Sequence, residues 1–285
     1  MIRGLAPAST ANLGPGFDAA GAALDLWNEV VVEDGAFAVE VEGEGADEVV
    51  RDASHLALRA FALFAPVEDR RFSFRNRIPL ERGLGSSAAA IALGLVAGAA
   101  VAGRDASPDE LLVAGVQLEG HADNLAAALN GGVCLSWNRN GAPHAARVAD
   151  AMPAAAVLVV PSQRTRTSGS REALPASVPH EDATVTAGAA ALLGAAVAAG
   201  DPELLRVAFA DRLHEPYRLA STPLRGLAEK PPERALGVTL SGSGPSVVVW
   251  VLPADAEDVA AELTASYPDT TVLPLAVAAR GAHTE

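Results

Sequence analysis

Strand-forming and helix-forming segments alternate through both halves of the sequence, which predicts a mixed α/β or α+β protein. Three observations carry that expectation: short Val-rich runs bounded by turn residues, Ala-rich apolar stretches opening on helix-capping residues, and the size of the chain. At 285 residues it fits one large or two medium domains. Half of the residues are hydrophobic but only 4% are aromatic, so the core has to be built from Ala, Val and Leu.

Glu29–Glu33 and Phe37–Val41 read as two strands joined by the turn signal Asp34-Gly35, which predicts a hairpin. Ser54 is placed to cap a helix running through Ala65. Arg71–Ile78 alternates Phe72 and Phe74 with polar residues, as a half-buried strand does. Ser86–Ala102 reads as a buried Ala-rich helix, Ser107-Pro108-Asp109-Glu110 as the start of a second, and Asn124–Leu129 as a third that stops at Gly131-Gly132. Strands at Val133–Trp137 and Ala155–Val160 flank a polar stretch, and a domain boundary is expected near Met152-Pro153. Beyond it come helices near Glu181–Ala199, Pro202–Phe209 and Asp211–Leu219. A strand ending at Ser241, a strand Val247–Leu252, a helix Asp255–Ser266 and a strand near Thr271–Val277 complete the pattern.

Charge and composition exclude several classes. With 21 basic and 35 acidic residues the net charge is −14, a field that repels polyanions and disfavours nucleic acid as a partner. The single Cys134 cannot form an intrachain disulfide. The first residues lack the pattern of a secretory signal, so a cytoplasmic protein is expected. The uncharged stretches Gly83–Gly103 and Ala183–Gly200 are dominated by Ala and Gly, which gain little on transfer into lipid, so buried helices are expected rather than membrane spans.

Three Gly-rich segments carry the chemistry. Pro79-Leu80-Glu81-Arg82-Gly83-Leu84-Gly85-Ser86-Ser87-Ala88-Ala89 lies between a strand and a helix, where glycines let the backbone approach an anion and the helix start offers unpaired N–H groups. Ser86 or Ser87 could cap the helix or reach a metal. The only lysine is Lys230, so this is not a P-loop. Ala6–Asp18 presents Asn12 and Asp18 in a loop of small residues, and Ser241-Gly242-Ser243-Gly244-Pro245 forms a third such loop; each taken alone is also an ordinary turn.

Together, and in this order, the three segments closely resemble the motifs of the GHMP small-molecule kinases. Further matches are Glu119-Gly120-His121-Ala122-Asp123-Asn124, the spacing of Thr167, Arg171 and Pro175, and Glu215-Pro216-Tyr217-Arg218. The resemblance spans about Ile2–Val277. It implies an α+β, two-domain fold: a domain at residues 1–152 of the ribosomal protein S5 domain 2 type, with a left-handed βαβ unit, and a ferredoxin-like domain at residues 153–285. It implies ATP bound by Pro79–Ala89 and Mg²⁺ held by Ser87 and Glu119, hard oxygen donors that suit that ion. Ser87, Glu119 and Asn124 are then the catalytic set.

The first motif has the form found in the family's amino-acid kinases, so the implied acceptor is L-homoserine, phosphorylated on its side-chain hydroxyl. Asn12 and Asp18 fall at its ammonium and hydroxyl end, His121 and Asn124 nearby, and Thr167, Arg171 and Arg218 near its carboxylate. That inventory suits a zwitterion, because a carboxylate prefers an arginine fork and an ammonium a carboxylate. Asp123 takes a structural role. Arg166 before Thr167 and Ser168-Gly169-Ser170 after it depart from the family pattern while keeping its register, and Arg166, with Arg164 close by, is expected to face solvent. A homodimer is implied only by analogy. Another kinase of the superfamily, or a non-catalytic ligand-binding descendant, is the alternative reading.

Overall fold

The computed structural model describes residues 1–164 and 167–285, with residues 167–169 described by their backbone alone. β1 (Ile2–Ala11) pairs antiparallel along its whole length with β2 (Ala20–Asp34), from Ile2↔Val32 to Ala11↔Gly21. β3 (Ala38–Gly43), α1 (Leu56–Phe61) and β4 (Arg70–Asn76) follow.

The expected hairpin does not form. β4 enters between β2 and β3, antiparallel to the first and parallel to the second, so that β3, α1 and β4 make a parallel βαβ unit. Charge explains the order. β2 carries Glu29, Glu33 and Asp34, β3 carries Glu40 and Glu42, and pairing them directly would align like charges. The Arg-rich β4 separates them and pairs with both, Arg70 with Asp34, Arg71 with Glu40 and Arg75 with Glu42. Its other face buries Phe72 and Phe74. The helix after β3 is also shorter than expected and starts from another cap. His55, not Ser54, caps α1 by accepting the Ala57 N–H at Nδ1, while Ser54 donates to Asp52.

α2 (Ser86–Val101) is the central buried helix, crossing α1 at Gly94 and Gly98. A Cβ on Gly94 would lie 2.0 Å from the Ala57 carbonyl, and one on Gly98 2.6 Å from that of Phe61. Gly94→Ala is therefore expected to force α1 off α2 and to cost about 1–3 kcal/mol, outweighing the gain in helix propensity. A fall in the urea midpoint at unchanged slope checks it.

α3 (Pro108–Glu119) opens with the capping box Ser107–Glu110 and ends at Gly120, which turns the chain into α4 (Asp123–Asn130). β5 (Val133–Arg139) pairs with the start of β2 and with β6 (Ala142–Ala149). β6 lies in the stretch expected to be merely polar, and the turn Asn140-Gly141, both at positive φ, is the hairpin signal that marks it.

The second sheet has the order β10-β7-β9-β8, all antiparallel, from β7 (Ala155–Pro161), β8 (Ala235–Leu240), β9 (Val247–Val251) and β10 (Thr270–Leu275). Between β7 and β8 run α5 (Thr167–Glu172), α6 (His180–Ala199), α7 (Pro202–Arg206), α8 (Glu215–Arg218) and α9 (Arg225–Glu229); α10 (Ala256–Ser266) joins β9 to β10. This is the ferredoxin-like arrangement. β7 is buried on both faces, Val157 and Val159 toward the core that holds α10, and Ala156, Leu158 and Val160 toward the core shared with the first sheet.

Three further expectations change. α7 stops at Arg206, and only Glu215–Arg218 of the expected Asp211–Leu219 helix is helical, because Asp211 accepts the N–H groups of Leu213, His214 and Glu215 and starts the turn there. α6 buries one face only, through Thr186, Ala189, Leu193, Ala196 and Val197, leaving Leu192 exposed; its length and hydropathy alone would let it cross a membrane. The tail placed with residues 153–285 returns to the first sheet instead. There β11 (His283–Thr284) pairs with β1, and Gly132 donates to the Ala278 carbonyl.

Candidate active site

The three Gly-rich loops meet at one cleft of about 240 Å³ between the sheets. β1 delivers Asn12–Asp18, β4 leads into Pro79–Gly85, and β8 and β9 flank Ser241–Pro245. Ser241 Oγ donates to the Gly83 carbonyl at 2.7 Å and shares a hydrogen bond with Thr10 Oγ1, fastening the second loop to the third.

Gly85 is the N-cap of α2 in a left-handed conformation at φ +65°, and no side chain caps this helix. The first-turn N–H groups therefore open toward the cleft without intrahelical partners, the arrangement that receives an anion. Of the two serines expected to cap, Ser87 instead donates to Glu119 Oε2 at 2.7 Å. Burial raises the pKa of the Glu119 carboxyl, and no cation lies within ion-pair distance of it among the described residues. Two hard oxygen donors beside an uncapped helix start suit Mg²⁺ with its phosphate ligands.

A Cβ on Gly85 would lie 2.0 Å from Ser9 Oγ, which itself donates to Asn124 Oδ1. Gly85→Val is accordingly expected to close the phosphate end of the cleft and to abolish binding of ATP analogues in a calorimetric titration while most of the core stays folded.

Arg82 was expected to bind nucleotide, and it does line the cleft, but its guanidinium donates to three carbonyls, those of Leu80, Pro161 and Ser162. It is a tether between the phosphate loop and the end of β7. Leu80, Ala88 and Ala89 do not line the cleft: Leu80 packs on Gly45, and both alanine side chains lie in the core. Pro79, Glu81, Gly83, Leu84, Ser86 and Ser87 do line it.

The cleft is also lined by Asn12, Asp18, His121, Asp123, Asn124, Arg171 and Arg218, with Asn124 beside Gly85. Asn12, at φ +72°, spends its amide on scaffolding, donating to the Gly242 carbonyl and accepting the Asp18 N–H. Asp18 and Arg171, expected as separate counter-charges, pair with each other, one guanidinium nitrogen lying 2.9 Å from both carboxylate oxygens. Arg218 is 6% exposed and has no carboxylate within ion-pair distance among the described residues. Burial lowers its pKa. A buried cation held without a counter-ion marks the place of an anionic ligand group. Asp123 is buried, its carboxyl pKa raised by desolvation, and accepts the Asn124 N–H.

The side chain of Thr167 and the expectation for Arg166 lie outside the described residues. Arg164 is exposed and pairs with Glu48. Sequence reasoning passed over Ser9, Phe17 and His214, although His214 directly precedes the Glu215–Arg218 match and Phe17 sits inside the first motif.

The sequence profile of the GHMP kinase N-terminal domain matches residues 48–132, and that of the C-terminal domain residues 193–269. A homoserine kinase of Streptomyces avermitilis is 42% identical over 91% of this chain and 88% of its own length. The chain belongs to the homoserine kinase family, within the GHMP kinases. A second homoserine kinase, from Streptomyces coelicolor, is 41% identical over 97% of this chain and 96% of its own. The crystal structure of a homoserine kinase from Cytophaga hutchinsonii superposes with a TM-score of 0.89 at 23% identity, covering all of this chain and 97% of that one. This member of the GHMP kinases therefore shares the family's two-part fold, and its cleft lies where its three Gly-rich loops meet.

Proposed function

We infer that this protein transfers the γ-phosphoryl group of ATP to the side-chain hydroxyl of L-homoserine, giving O-phospho-L-homoserine on the route to threonine. The observation that carries the reading is a single cleft with an uncapped helix start at one end and Arg218, a buried cation lacking a carboxylate partner among the described residues, at the other. The first receives phosphate, the second a carboxylate.

Ser87 and Glu119 would hold Mg²⁺, which when bound neutralises charge on the transferring phosphoryl group. The α2 N-terminus and the Gly83–Gly85 backbone position the phosphates. Asn124 accepts from Ser9 through Oδ1, so that Nδ2 is the group it would offer the acceptor hydroxyl. Phosphoryl transfer through a loose transition state needs this positioning more than a strong base, so the buried Asp123 serves by holding the start of α4. Arg171 and Arg218 take the carboxylate. Asp18, which pairs with Arg171, would take the ammonium, so that a zwitterion replaces an internal ion pair by two external ones.

An assay of ADP release over L-homoserine, mevalonate, galactose and shikimate tests the reading. Homoserine is expected to turn over at least about 100-fold faster than the others, the discrimination a site built for paired charges provides. Faster turnover of mevalonate or galactose would move the protein to another branch of the family, and no turnover of any would mark a binding protein.

A further inference from the structure

His214 lies outside the set assigned above, yet it touches both halves of the amino-acid end of the cleft. Its side chain is fully buried. Nε2 stands 2.8 Å from the carbonyl oxygen of Gly14, in the loop that carries Asp18, and Nδ1 stands 3.5 Å from Nη1 of Arg218. A carbonyl oxygen only accepts, so Nε2 carries the proton and Nδ1 is left as an acceptor facing the arginine. Burial favours that neutral form.

The ring is held from two further sides. It stacks on Phe17 at 4.8 Å between centroids, and the guanidiniums of Arg218 and Arg171 lie 5.0 and 5.7 Å from the same Phe17 ring. Asp211 accepts the His214 backbone N–H and so fixes the turn from which the side chain projects. These contacts join the loop that carries Asp18 to Arg218, and none of them is with the Gly83–Ser87 loop.

We propose that His214 is a positioning residue that sets the separation between the Asp18 loop and Arg218, and with it the selectivity of the cleft for an α-amino acid over a hydroxy acid without the ammonium. The two charges of such a substrate sit on one carbon, so the groups that read them have to stand at one spacing. The imidazole, bonded to the loop at one nitrogen and to Arg218 at the other, is the spacer. The inference rests on the homoserine reading above.

The test compares the parent protein with His214→Phe, which keeps the ring and its stacking but neither nitrogen, and with His214→Gln, which keeps a donor at about the reach of Nε2. L-homoserine and 4-hydroxybutanoate are the acceptors. In His214→Phe the KM for homoserine is expected to rise by about ten-fold or more and the preference for homoserine over 4-hydroxybutanoate to fall by a similar factor, the scale of lost polar pairing in a binding site. The KM for ATP should stay within about two-fold, and His214→Gln should fall between the other two. An unchanged preference in His214→Phe, equal rises in both KM values, or a Gln variant no better than Phe would overturn the proposal. If His214→Phe fails to fold by circular dichroism, the preference in His214→Gln decides: a fall supports the proposal and an unchanged ratio overturns it. A parent protein that does not prefer homoserine over 4-hydroxybutanoate would instead sink the homoserine reading itself.

Discussion

Glu119→Gln is expected to leave the fold intact and to lower turnover by about 10²- to 10³-fold, the loss that follows removal of one preorganised electrostatic contact in a transition state. The amide is isosteric and can still accept the Ser87 hydroxyl that now donates to Oε2. What disappears is the anionic oxygen donor, the one feature of this position that a hard cation requires. Stability should move the other way from activity. Burial raises the Glu119 pKa, so the folded state holds its proton more tightly than the unfolded chain, and stability falls as pH rises through the folded value. Above the ordinary carboxylate range the buried acid is therefore a cost to the fold, and there the Gln variant should melt at or above the parent's temperature. Thermal melts with single-turnover rates across a Mg²⁺ titration check both halves; near-normal turnover in a well-folded variant would remove Glu119 from the metal site.

Arg218→Leu should show the same opposition more sharply. The guanidinium is nearly buried, lacks a carboxylate partner among the described residues, and donates only at long range, to the Ser170 carbonyl at 3.4 Å and to His214 Nδ1 at 3.5 Å. Replacing a poorly compensated buried charge with an apolar side chain is commonly neutral or stabilising. Homoserine would then bring its carboxylate into a site without its main cation. By analogy with truncated buried ion pairs the loss is about 2–5 kcal/mol in transition-state binding. That corresponds to roughly 30- to several-thousand-fold in kcat/KM for homoserine at about 1.4 kcal/mol per decade. The KM for ATP should hardly change, since the nucleotide end proposed above, Gly83–Ser87, is a different stretch of the cleft lining. A homoserine kcat/KM within about three-fold of the parent would end the zwitterion assignment.

Much of the candidate site was legible because its chemistry is local. A run such as Gly83-Leu84-Gly85-Ser86-Ser87 signals backbone freedom and a helix start, and the structure leaves that helix start without a side-chain cap. Ser87 and Glu119, 32 residues apart, could be paired in advance only through the resemblance; they lie within one hydrogen bond. Other assignments depended on partners that no local pattern names. Arg82 looks like an anion ligand in a Gly-rich loop, but three backbone carbonyls take its guanidinium. Phe17 and His214 gave no signal because a phenyl and an imidazole are ordinary core residues until Arg171, Arg218 and Gly14 surround them.

The sequence by itself determined the mixed class, most of the elements, the Ala-rich central helix and the Gly-rich loop before it, all of which follow from periodicity, capping and glycine placement within a few residues. Tertiary structure alone decided that β4 separates β2 from β3, that the tail joins the first sheet beside β1, and that Asp18 pairs with Arg171. These are choices among distant partners, settled by which charges and which buried faces are satisfied together, and a linear pattern carries propensity but not the identity of the neighbour across space.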